Sequence, residues 1–326
     1  MTEIRTAAAA SLLAVLGLVQ AAQAQEFQLN VNTALAQSDP LYKGLESFET
    51  NLEEKSDGRI EVTLYPNSQL GSNEDVLEQA RAGAPVAIVT DGGRLAVFTP
   101  EFAILGAPFL ADGYEGIRKV VTSDLFEEWG QDLHDSAGLQ VLSFNWWQGQ
   151  RNLLTNVEVT TPEDLAGVRM RTPGAPVWTE TIRAMGATPT PLPWGEVYSA
   201  IQQNAIDAAE AQLPAVVGAK LEEVIDTVTL TGHINLITGL VTSAQWFDSL
   251  PEDLQTLVRD EALAAGEIAS QGTQDVLEQI KSDLREAGVA VNEVDKTPFI
   301  EATQPVYETL DLADLHAEVQ AILDAE

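Results

Sequence analysis

The sequence predicts an α/β protein of two lobes that exchange strands and share one long helix. Three observations carry this expectation. Strand-like and helix-like segments alternate along the chain, no linker rich in Pro, Gly or Ser divides its halves, and a helical polar/apolar pattern runs from Pro251 to Gly288. At about 1.5 Å per residue that pattern spans roughly 55 Å, too long for one small domain, so the helix is expected to brace two.

The elements follow in order. Phe27 to Asn32 (FQLNVN) alternates apolar and polar side chains and reads as a strand. Ser38-Asp39-Pro40 announces a helix: Pro40 suits the first turn, Leu41, Leu45, Phe48 and Leu52 recur at helical spacing, and Ser56-Asp57-Gly58 stops the run. Ile60, Val62 and Leu64 alternate with polar neighbours as a half-buried strand. Ser72-x-x-Asp75 starts a helix through Val76, Leu77 and Ala80, and Val86 to Val89 is a short buried strand ending in the turn Asp91-Gly92-Gly93. This rhythm indicates a mainly parallel sheet. The second half repeats it. Val141 to Trp147 is a strand, Thr161-Pro162-Glu163-Asp164 caps a helical turn, and Val168 to Arg171 is a strand halted by Thr172-Pro173-Gly174. Trp178, Ile182 and Met185 mark a helix closed by Gly186, and Val197 to Ile201 mark another before a strand from Ala205 to Ala209.

Composition excludes several functions. Seventeen Lys+Arg against 50 Asp+Glu give 17 − 50 = −33, which leaves no basic surface for nucleic acid and argues against docking on anionic lipid. Cysteine is absent, so disulfides, thiolate metal sites and thiol nucleophiles are excluded, and the three widely spaced histidines suggest no metal helix. Residues 1–24 read as a secretory signal peptide: Arg5, an apolar run from Ala7 to Val19, then Ala22-Gln23-Ala24. The mature chain from about Gln25 is expected to be soluble in a periplasm-like compartment, without direct membrane insertion.

No nucleophile elbow, phosphate loop or dinucleotide fingerprint is present, and acidic pairs such as Glu53-Glu54 read as solvated faces; no catalytic residue, cofactor or metal is expected. The scarce charge is the informative one. Arg151, Arg169 and Arg171 cluster beside strands and turns, and a guanidinium matches a carboxylate with two parallel hydrogen bonds. Each serves equally well as a surface ion pair or as a ligand clamp. Trp146, Trp147, Trp178 and Trp194 are candidates for stacking on a ligand or for core packing. Asp91, at a strand end, reads either as a pocket residue or as an Asx-turn residue.

In order along the chain, Gly58-Arg59-Ile60-Glu61-Val62 through Tyr65-Pro66-Asn67-Ser68-Gln69-Leu70-Gly71, Ala107-Pro108-Phe109-Leu110, Gly149-Gln150-Arg151, Thr161 to Gly167, Arg169-Met170-Arg171-Thr172-Pro173, Gly186-Ala187-Thr188-Pro189 with Glu196-Val197-Tyr198, and Thr231-Gly232-His233 are similar to motifs of the substrate-binding subunits of TRAP transporters. The resemblance covers nearly the whole mature chain. It implies a two-lobed periplasmic-binding-protein fold of type II-like form, with hinge strands and a lobe-bridging helix. Lobe I would comprise 25–148 plus about 237–276, and lobe II 149–236 plus about 277–326. It also implies a small organic-acid ligand and, as partners, the small and large membrane permease subunits. By the same resemblance Arg171 pairs with the ligand carboxylate, Arg151 adds a second contact and Trp194 lies against the ligand. One departure stands out. Where many acid-binding members read D-G-x-E-N-P, this chain reads Asp207-Ala208-Ala209-Glu210-Ala211-Gln212, so the Asn is replaced by Ala211, and Gln212 is the candidate substitute. Alternatives from other classes are a secreted receptor feeding a signalling sensor, a binder of a non-acid solute, and a hydrolase.

Overall fold

A computed structural model describes residues 26–325, so the predicted signal peptide lies outside the described residues. One mixed sheet runs through the molecule in the order β2-β1-β3-β8-β4-β7-β5-β6, with β9 beside β8. Its strands are β1 Phe27–Asn32, β2 Ile60–Tyr65, β3 Val86–Asp91, β4 Leu139–Thr155, β5 Arg169–Thr172, β6 Thr188–Pro191, β7 Ala208–Gln212, β8 Thr227–Ser243 and β9 Ala290–Asn292. Each end is a parallel βαβ-type set: β1 pairs with β2 and β3, and β5 pairs with β6 and β7. Between them lie β4 and β8, antiparallel and 17 residues each, which pass from one lobe into the other.

Local chemistry sets the flanking helices as the sequence predicts. Asp39 caps the helix Pro40–Lys55 by accepting from the Leu41 N–H at 2.9 Å, and Ser72 with Asp75 forms a reciprocal capping box at Asn73–Arg81. The long helix is continuous from Glu252 to Glu286. Gly266 does not interrupt it; a side chain there would collide with Asn145, so the glycine permits close packing on β4. Its small buried face of Ala262, Ala265 and Ala269 packs against the Pro40–Lys55 helix.

Other elements differ from expectation. β4 continues eight residues past Trp147, through the Gly149-Gln150-Arg151 segment, and β8 is a strand that the sequence pattern does not predict. Both are buried on two faces and lack alternation, so the period-two signal is missing. Four register irregularities between β4 and β8, from Val141 to Leu153, bend the pair where it crosses between lobes. The strand expected at Ala205–Ala209 is shifted to Ala208–Gln212, and the expected turn after β3 is a short helix, Gly92–Leu95. The C-terminal segment divides: Phe299 packs with Met170 and Ile182, whereas Val319 joins the cluster of Ile117 and Val120. Among the described residues no helix is long and apolar enough to cross a membrane.

Candidate functional site

A cavity of about 60 Å³ lies between the two parallel sets, beside the crossing strands. β3 and its following helix contribute Thr90, Asp91 and Arg94; β4 contributes Gln148 and Arg151; β5 contributes Arg171; β7 ends in Gln212; Trp178 and Trp194 also line it. The sheet brings these together because β4, β7 and β5 are successive strands, and the middle of β4 and the C-terminal ends of β5 and β7 border the same cavity as the end of β3. On β7 strict alternation turns Glu210 and Gln212 to the site while Ala209 and Ala211 enter a hydrophobic cluster. Ala211 is thus occupied in packing, and the residue facing the cavity is Gln212.

The arginines differ in what they have left to give. Arg151 is held by Glu210: its Nε and Nη2 donate to the carboxylate, Nη2 also donates to the Glu210 carbonyl at 2.6 Å, and Nη1 donates to Gln212 Oε1 at 3.3 Å. Four of its five N–H donors are consumed. Thr172 Oγ1 adds a hydrogen bond to the same carboxylate at 2.9 Å. Burial opposes ionisation of Glu210, yet Arg151 and then His233 hold it well below the usual carboxylate range. Arg171 is 2% exposed and donates once, from Nε to the Leu192 carbonyl at 2.9 Å; its other four N–H donors have no hydrogen-bond partner among the described residues. It has no carboxylate partner among them either, and its guanidinium lies 5.3 Å from the Trp194 ring centroid. Burial first, then the like charge of Arg151, push Arg171 down to about 9.

Asp91 has both roles considered from sequence. Its carboxylate accepts from the Arg94 backbone N–H at 3.0 Å as a helix cap, and it pairs with the Arg94 guanidinium while lining the cavity. Arg94 also donates to Glu74 at 2.8 Å. Sequence reasoning missed Arg94; the signal available was the Asp91-x-x-Arg94 spacing after a strand. It also missed Gln148, whose Nε2 donates to Thr238 and whose Oε1 accepts from Gln212. Trp147 lies outside this cavity, with its indole N–H donating to Asn235 and its ring 6.2 Å from Tyr114. Arg169 is a surface partner of Asp207 at 2.7 Å. Trp178 is buried beneath Arg151, at 4.6 Å, and against Gly93 and Gly106 from the opposite lobe.

A two-lobed α/β protein with a polar cavity at its hinge, one side wall from each lobe, has the form of a solute-binding protein. Comparison with known proteins gives the family. The profile described as bacterial extracellular solute-binding protein, family 7 (DctP), matches residues 31–312, and the chain belongs to this family, the TRAP periplasmic solute-binding proteins. The sialic acid-binding periplasmic protein SiaP of Vibrio cholerae is 28% identical over 274 residues, covering 83% of this chain and 84% of that protein. A TRAP solute-binding protein from Escherichia fergusonii, in an apo open crystal structure, is 44% identical, with 91% of this chain and 99% of that one covered and a TM-score of 0.80. One from Ochrobacterium anthropi with bound L-fuconate is 30% identical, covers 92% and 100%, and reaches a TM-score of 0.88. The chain superposes better on this liganded structure than on the apo open one, despite the lower identity.

Proposed function

We propose that this protein captures a small organic acid between its lobes in the periplasm and delivers it to the small and large membrane subunits of a TRAP transporter. The observation that carries the reading is Arg171: a buried guanidinium that lines the cavity and, among the described residues, has four N–H donors without a hydrogen-bond partner and no carboxylate beside it. A desolvated charge is costly unless paired, and a ligand carboxylate is the group that matches a guanidinium fork. Arg151, already bound to Glu210, holds one further N–H toward the same anion, Gln212 stands beside it, and Trp194 covers the ligand from the Arg171 side. Asp91 and Arg94 form the opposite wall. Trp147 is assigned to packing of the hinge region. The acids bound by the sialic acid and L-fuconate relatives support the class of ligand. We place the lobe boundary where β4 and β8 cross, near residues 148 and 237, and read residues 1–24 as the export signal.

The test is a thermal-shift screen of ligand-free protein against organic acids and uncharged analogues. A ligand at 100 times its Kd raises stability by about 2.7 kcal/mol, a shift of several degrees. Arg171→Lys should weaken binding of the acid at least about tenfold by calorimetry, since an ammonium loses the bidentate geometry. Stabilisation by neutral compounds alone would end the acid reading.

A further inference from the structure

We infer that Gln148 and Thr238 are positioning residues for the cleft: with Gln212 they form a one-directional hydrogen-bond relay that fixes the Arg151 guanidinium and keeps the Gln212 carbonyl oxygen away from a bound anion. This rests on the reading of the cleft as an acid site and adds how that site is kept free of competing acceptors.

The relay is set from both ends. Arg151 Nη1 donates to Gln212 Oε1 at 3.3 Å, Gln212 Nε2 to Gln148 Oε1 at 2.5 Å, Gln148 Nε2 to Thr238 Oγ1 at 3.1 Å, and the Thr238 hydroxyl to the Trp146 carbonyl at 2.7 Å. All four side chains are buried. A guanidinium can only donate and a carbonyl can only accept, so the direction of every bond between them is determined. Turning either amide over would bring like groups face to face on both of its sides, in a place where water does not compensate. The far anchor belongs to the crossing strands. The β4–β8 register is irregular on both sides of Trp146 and Trp147, and the Trp147 N–H donates to Ser270 on the long helix at 2.8 Å. Thr238 lies opposite Trp146 at this irregularity and closes on its carbonyl.

Gln148, Arg151, Gln212 and Thr238 line the same cavity as Arg171. Glu210 holds Arg151 through Nε and Nη2, and the relay holds the remaining nitrogen, Nη1, whose second N–H is the one left for an anion. With its oxygen committed to Arg151, Gln212 cannot present an acceptor to a carboxylate, and each amide nitrogen of the relay keeps a second N–H. Hydrogen bonds in series polarise one another, so the hold on Arg151 depends on members that do not touch it.

The test is calorimetry on ligand-free full-length protein with L-fuconate, the acid bound by the Ochrobacterium anthropi relative, and with each acid that stabilises the protein in the thermal-shift screen. Thr238→Ser keeps the hydroxyl and should bind within about twofold of wild type, whereas Thr238→Val keeps the shape and should bind about three- to tenfold more weakly. Packing alone predicts the reverse order, because serine removes a buried methyl group and valine does not. Gln148→Leu separates the relay from direct contact: in that background Thr238→Val should cost no further affinity, and a hydroxyl that touched the acid itself would cost the same again. In ligand-free protein the side-chain amide NMR signals of Gln148 and Gln212 should be protected from exchange in wild type and Thr238→Ser, and lose protection together in Thr238→Val. Equal affinities of the serine and valine variants, the reverse order, or additive losses with Gln148→Leu overturn this inference and leave the acid reading standing. If no acid binds the wild type, the acid reading falls and takes the inference with it. Should Thr238→Val not fold, the wild-type amide signals decide: rapid exchange of either overturns the relay.

Discussion

Arg151 and Arg171 sit on β4 and β5, which flank β7, and both are buried, yet among the described residues only Arg151 has a carboxylate partner. Glu210 neutralises Arg151 and fixes its plane, so this pair stabilises the native state only as a pair. Glu210→Gln should lower stability by about 3 to 5 kcal/mol near neutral pH, because it leaves a buried guanidinium uncompensated. The pH dependence has a definite sign. Arg151 and His233 hold Glu210 below its ordinary value, so its contribution is complete above about pH 5 and is lost as pH falls toward 2. Urea midpoints of wild type and Glu210→Gln should therefore converge on acidification; parallel curves would show that Glu210 contributes no pH-linked stability. On the proposed reading, the unpaired Arg171 should cost stability in the ligand-free protein, and a bound carboxylate should relieve that cost.

Glycines on helices show how element packing overrides local propensity. Gly44 lies inside the helix Pro40–Lys55, where alanine would add about 1 kcal/mol of helix propensity. A Cβ there would stand 2.7 Å from the Ala265 carbonyl oxygen and 2.8 Å from the Ala269 Cβ, both on the long helix. Overpacking against backbone costs about 1 to 3 kcal/mol, so Gly44→Ala should destabilise on balance. Gly130, in the helix Asp124–Ala137, has open space at its Cβ position, and Gly130→Ala should raise stability by up to about 1 kcal/mol. Chemical denaturation of the two variants checks the opposite signs. The same close approach explains why the long helix buries a stripe of alanines: the lobes share a brace packed too tightly for larger side chains.

At the scale of the whole molecule, the cleft walls meet in a close contact that ligand-driven closure is expected to use. The ring of Trp178 packs on Gly106, where a Cβ would fall 2.3 Å from its indole nitrogen. Gly106→Ala is expected to obstruct a closed, liganded state more than an open one. Ligand affinity should fall about tenfold or more while the melting temperature of the ligand-free protein changes little, and solution scattering should show the variant more extended. Equal affinity with lower ligand-free stability would assign Gly106 to ordinary core packing. Over the molecule the charge of −33 opposes approach of an anion at low salt, so on the proposed reading association with an acid should quicken as salt is raised.

The sequence by itself determined the elements whose signals are local. Capping at Asp39 and Ser72, alternation in β1 and β2, and the helical period from Pro251 were legible because each depends on residues a few positions apart. The rarity of basic residues directed attention to Arg151 and Arg171. The tertiary structure decided which arginine is free, since Glu210 is 59 residues from Arg151 and their pairing depends on the β4–β7 register. It also decided that Ala211 packs in a core while Gln212 faces the cavity, and that Trp147 lies away from it. β8 left no sequence pattern because it is buried on both faces. The unpaired guanidinium of the cleft likewise emerges only where segments distant along the chain, around residues 90, 150, 171 and 212, meet.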